Sequence, residues 1–76
     1  MVRAFIMVKT AAGESATLQN RIREMDAILE AHVVAGKYDV IAEAEAEEVY
    51  TVINAVATDL HDLDGVVDTR TYICLE

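Results

Sequence analysis

Residues 2–9, VRAFIMVK, alternate in a way that a small chain has difficulty hiding. Val2, Ala4, Ile6 and Val8 form one wholly apolar face. Arg3, Phe5, Met7 and Lys9 form the other, apolar in its middle and cationic at its ends. A strand apolar on both faces needs cover on both. The chain has 76 residues, 54% of them hydrophobic. A domain of that size buries only about 60% of the surface its unfolded form exposes. Cys74 is the single cysteine, so no internal disulfide can help. Self-association is the remaining remedy, and an obligate dimer is expected.

The rest of the chain alternates between extended and helical patterns. Residues 11–13 read as a loop, and Ser15 is placed to cap a helix with Glu14 favourable beside its N-terminus. Leu18, Ile22 and Met25 then recur at helical spacing. Residues 27–34 are extended around Ile28, Leu29, Val33 and Val34. After a turn at Gly36, residues 38–46 carry Tyr38, Val40, Ala42 and Ala44 on one face and Asp39, Ile41, Glu43 and Glu45 on the other. Glu47 and Glu48 suit a helix start. Val49, Val52, Ile53, Val56 and Leu60 keep an amphipathic helical rhythm. Asp64 and Gly65 stop that helix, and residues 66–75 form the last strand.

This order predicts one α+β domain over residues 1–76, a ferredoxin-like βαββαβ unit. Its four antiparallel strands would carry both helices on one face. The open face, with Phe5 and Met7, is then expected to form the dimer interface, sheet against sheet.

Charge narrows the partners. Against 14 acidic residues there are 6 basic ones, a net charge of -8. Duplex binding needs clustered cations on phosphates, so direct nucleic-acid contact is not expected, nor is contact with an anionic membrane. An acidic, solvated surface also suits a high-salt cytoplasm. No stretch approaches the ~20 apolar residues of a membrane span. The N-terminal apolar run is too short for a signal peptide and is broken by Lys9. A cytoplasmic location is expected, consistent with one free thiol.

Two turn motifs carry the functional signal, VVAGKYDV at 33–40 and DGVVDTRTY at 64–72. Each puts backbone amides and a polar side chain at one end of the sheet. Their combination resembles the effector-binding RAM domain of the Lrp/AsnC (feast/famine) transcription regulators, along essentially the whole chain. The specific parts are Gly36, Lys37, Tyr38 and Asp39, and Gly65 and Val66 with Thr69 and Thr71. The resemblance implies dimers formed through the sheets and larger rings, octamers among them. It also implies an amino-acid or small-metabolite effector between dimers, in contact with Gly36, Lys37, Tyr38 and Asp39 and near Thr69 and Thr71. Turn amides would grip a carboxylate, and Asp39 an ammonium. Full regulators carry a helix-turn-helix module. Here the first strand begins at Met1, which suggests a stand-alone effector domain or an excised fragment, with a full-length regulator as a possible partner.

Each of these residues also has a structural reading. Asp39 can cap a turn, Tyr38 can pack beneath the loop, and Lys37 can simply be solvated. Thr69 and Thr71 are common strand residues. Glu43, Glu45, Glu47 and Glu48 could line a cation site in a ring or form a solvated edge. His32 and His61 have no third partner for a metal, and Cys74 reads as an inert thiol. No catalytic residue, cofactor or metal is expected. The alternatives are a small dimeric α+β barrel enzyme of monooxygenase or isomerase type, which needs an enclosed cavity reaching His32, or an ACT-like regulatory domain.

Overall fold

The computed structural model describes residues 1–75. Its elements are β1 (Val2–Thr10), α1 (Ser15–Arg23), β2 (Ile28–Val33), β3 (Val40–Ala46), α2 (residues 49–61) and β4 (Val66–Ile73). The strands pair in the order β2-β3-β1-β4, every neighbour antiparallel. This is the ferredoxin-like α+β fold that the element order predicts.

One face of the sheet holds the core. Ala4, Ile6 and Val8 of β1, Ala31 of β2 and Val40, Ala42 and Ala44 of β3 are fully buried there. Leu18 and Ile22 of α1 and Val56 and Leu60 of α2 pack onto them, so both helices lie on that face. Three alanines in a row on β3 keep the layers close, because only methyl groups separate backbone from helix. A smaller cluster of Ala4, Ala46 and Val52 closes the far end with Val2 and Ile73. Among the described residues no polar or charged side chain is buried.

Two local expectations differ from the structure. The N-cap of α1 is Glu14, without a side-chain cap bond, and Ser15 is already helical. The Ser15 hydroxyl instead lies 3.0 Å from that of Thr10, pinning the helix start to the end of β1. The second helix is not regular. A π turn, Val52–Ala57, separates the short α stretches Val49–Thr51 and Thr58–His61. Wider i→i+5 turns lengthen the repeat, so Val52, Val56 and Leu60, spaced by four, share the inner side. Val49 and Ile53, expected there, are left 43% and 48% exposed.

Gly65, like Gly13, lies in the left-handed region that favours glycine. Its φ is +94°, and a Cβ would meet Leu18 Cδ1 at 3.2 Å. It ends the α2–β4 connection, and its carbonyl accepts the Ala11 N–H at 2.8 Å. Gly36 differs, since an added Cβ there meets nothing within 4 Å and its φ is ordinary.

Candidate functional site

The β2–β3 turn is fastened at its base and open at its tip. Val34 N–H donates to the Asp39 carbonyl at 2.8 Å, and Asp39 N–H donates to the Val8 carbonyl at 2.9 Å. The Asp39 carboxylate accepts the Thr10 N–H at 2.8 Å. Thr10 lies where the β1–β4 register shifts, with Lys9 opposite Asp68 but Thr10 opposite Val66. Thr10 also lies beyond the last β1–β3 pair, Val8 with Val40, so Asp39 satisfies an amide that the end of that ladder leaves over. This cap reaches across to another strand, which a local turn cap would not do. Between these fasteners Ala35, Gly36 and Lys37 are exposed, and Tyr38 is half-buried. Tyr38 and Asp39 belong to the turn, since β3 begins only at Val40.

The two halves of the expected site face different ways. Thr69 and Thr71 pair with Val8 and Ile6, whose side chains are buried under the helices. Paired residues share a face, so both threonines look toward the helix layer. Tyr38 lies on the other side, where its hydroxyl accepts the Arg70 Nε–H at 3.2 Å. That bond, with a smaller contribution from Asp68, raises the Arg70 pKa above its ordinary value. Sequence motifs alone do not point to Arg70. The available signal was the alternation of Asp68, Arg70 and Tyr72 against the two threonines.

The open face is arranged in rows across the strands. Met7 lies between Ile41 and Arg70, with His32 beyond Ile41 at the β2 edge. Phe5 lies between Glu43 and Tyr72, with Glu30 opposite Glu43. Within the protomer Phe5 is 36% and Tyr72 58% exposed. At the end away from the turn, Arg3 Nε meets Glu43 at 3.0 Å and its Nη2 meets Glu45 at 3.3 Å. These two acids are thus paired with a cation, while Glu47 and Glu48 are exposed beyond the strand. A cleft of about 580 Å³ opens there, lined by Met1, Arg3, Phe5, Glu45, Cys74 and Leu75. His32 is an exposed edge residue, its Nε2 3.8 Å from Glu30, and His61 ends α2 beside Asp62. Among the described residues no group of three or more His, Cys, Asp or Glu could hold a metal, and no helix is long and apolar enough to cross a membrane.

The Lrp/AsnC ligand-binding domain matches residues 3–76. The chain belongs to the Lrp/AsnC family. Its regulatory character is therefore that of an effector-binding domain. Among solved structures, TTHA0845 of Thermus thermophilus is 25% identical with a TM-score of 0.92, covering 100% of this chain and 95% of its own. The hypothetical protein PHS023 of Pyrococcus horikoshii is 29% identical at 0.90, covering 100% and 92%. FFRP-DM1 is 28% identical at 0.81, covering 99% of this chain and 100% of its own. Escherichia coli AsnC, 20% identical at 0.79, shares the fold, and 51% of its chain is covered. A regulator from Neisseria meningitidis, NMB0573, solved with L-Met, shares the fold at 0.72 and 19% identity, covering 99% of this chain and 50% of its own. No curated protein matches the sequence. The Lrp/AsnC domain seen here thus has solved counterparts of about its own length and others in which it makes up about half of the chain.

Proposed function

We propose that this Lrp/AsnC domain senses an amino acid or small metabolite at the β2–β3 turn and signals through self-association of its open sheet face. One observation carries the reading: in a ligand-binding-domain fold, the turn is clamped at Val34, Asp39 and Thr10 while its exposed tip has no strand pairing. A clamped base with free amides is a preorganised acceptor of a small polar ligand. The complex of NMB0573 with L-Met supports the ligand class by analogy. Self-association is supported by Phe5, Met7, Ile41 and Tyr72, which lie on the face that the helices leave bare. A sheet-to-sheet dimer would cover that band, and dimers would join into rings that bring turns together.

In this reading the domain acts without catalysis. It carries no DNA-binding module within these residues and would transmit its signal to a regulator that has one. Calorimetry against the twenty amino acids, organic acids and phosphorylated metabolites, run with light scattering, tests both halves. Binding of one class with a change in assembly is expected. No heat from any of them at millimolar concentration, with the oligomer intact, would reduce the protein to an assembly module. A stable monomer at micromolar concentration would overturn the interface.

A further inference from the structure

The charge distribution around the turn runs against that of the whole chain. The 6 basic residues are Arg3, Lys9, Arg21, Arg23, Lys37 and Arg70, in a protein of net charge -8. Arg3 is paired with Glu43 and Glu45. Arg21 and Arg23 occupy the last turn of α1, where the helix dipole favours cations, and Arg23 also donates to the Ala31 carbonyl. The other three meet at one corner. Lys9 Nζ donates to the Lys37 carbonyl at 3.3 Å, and Arg70 is held by the neighbouring Tyr38. Lys9 and Arg70 are diagonal neighbours on the open face, since Lys9 pairs with Asp68 and Met7 with Arg70. Such positions lie ~7–8 Å apart, within reach of long side chains converging on one ligand. Among the described residues none of these three cations forms an ion pair within 4.0 Å.

The remaining polar groups at this corner are donors or are already occupied. The N–H groups of residues 35–38 make no backbone hydrogen bonds among the described residues. The Tyr38 oxygen accepts from Arg70, which leaves its own proton free to donate. Space above Gly36 is open. Of the two acids present, Asp39 is turned to the Thr10 amide and Asp68 accepts the Thr69 N–H at 2.9 Å. The corner thus holds three cations against two carboxylates, each already accepting one backbone N–H, a balance that with the free donors favours an anion over an α-ammonium.

From this geometry we infer that the turn takes a small dianion, a dicarboxylate or phosphate-bearing metabolite, in preference to a zwitterionic amino acid. Lys9, Lys37 and Arg70 neutralise it, and the Tyr38 hydroxyl and turn amides fix its orientation. The inference rests on the reading that the turn is the effector site, and the experiment separates the two.

Amide resonances of the intact protein are followed by ¹H–¹⁵N correlation spectra during titration with succinate, inorganic phosphate and, separately, alanine and methionine. Shifts at residues 9–10, 35–39 and 68–71 with either dianion are expected, and none there with the two amino acids at equal concentration. Arg70→Gln and Lys9→Gln should each weaken dianion binding at least tenfold. Lys37→Gln, at an exposed position that cannot unfold the domain, should weaken it at least threefold. Response to one dianion alone identifies the headgroup. If the amino acids shift these amides and the three variants bind them unchanged, the dianion assignment is wrong and the effector site stands. If no ligand moves the turn, both fail together.

Discussion

The two faces of this sheet are built from the same four strands and differ by a step of one residue. Ile6 and Val8 are fully buried, while Phe5 beside them and its neighbour Tyr72 remain accessible. The inner face is apolar apart from Thr69 and Thr71 of β4, and is tightly spaced by alanines. The outer face mixes a short apolar band with ion pairs at one end and unpaired cations at the other. Stability is therefore concentrated on one side, and whatever the domain recognises must be met on the other or at its rim.

The contrast breaks most severely from the inside. Ile6→Ala should lower unfolding stability by about 2–5 kcal/mol, read by urea denaturation, and in a domain this small that approaches complete unfolding. Phe5→Asp, one residue away, should leave the circular dichroism spectrum unchanged and convert the protein to monomers by light scattering, because the charge would lie within a sheet-to-sheet contact. A smaller loss is expected from Asp39→Ala, about 1.5–3 kcal/mol, since the Thr10 amide loses a charged acceptor. Gly65→Ala should cost about 1–2 kcal/mol for its left-handed backbone, with the approach to Leu18 adding to it. Gly36→Ala should change stability by less than about 0.5 kcal/mol, so any loss of function there would report on a ligand or neighbouring subunit.

Much of this architecture is legible in the chain. The alternation of Ala4, Ile6 and Val8 in β1 marks the face that the helices cover, and Asp64-Gly65 marks the last turn where a left-handed residue is required. The two motifs carry enough of the family to identify it. What escapes sequence reading is non-local. The π turn of α2 is selected by which side chains the sheet accepts, and helical periodicity alone places Val49 and Ile53 inward. Arg70 meets Tyr38 only because the β1–β4 pairing sets the phase of β4. The threonines beside it look more like ligand contacts along the sequence than they do in space. Ser15 has the chemistry of a cap but is drawn into the helix by its hydroxyl contact with Thr10.

The one-residue step between faces also governs how this protein can change over time. Deleting a single position inside β1 would exchange Ile6 and Val8 with Phe5 and Met7, turning core outward and contact surface inward at once. A point substitution on the outer side leaves the core in place, whereas a length change inside a strand does not. The offset between Lys9–Asp68 and Thr10–Val66 is where the pairing already accommodates an extra residue, so an insertion there would disturb the two faces least.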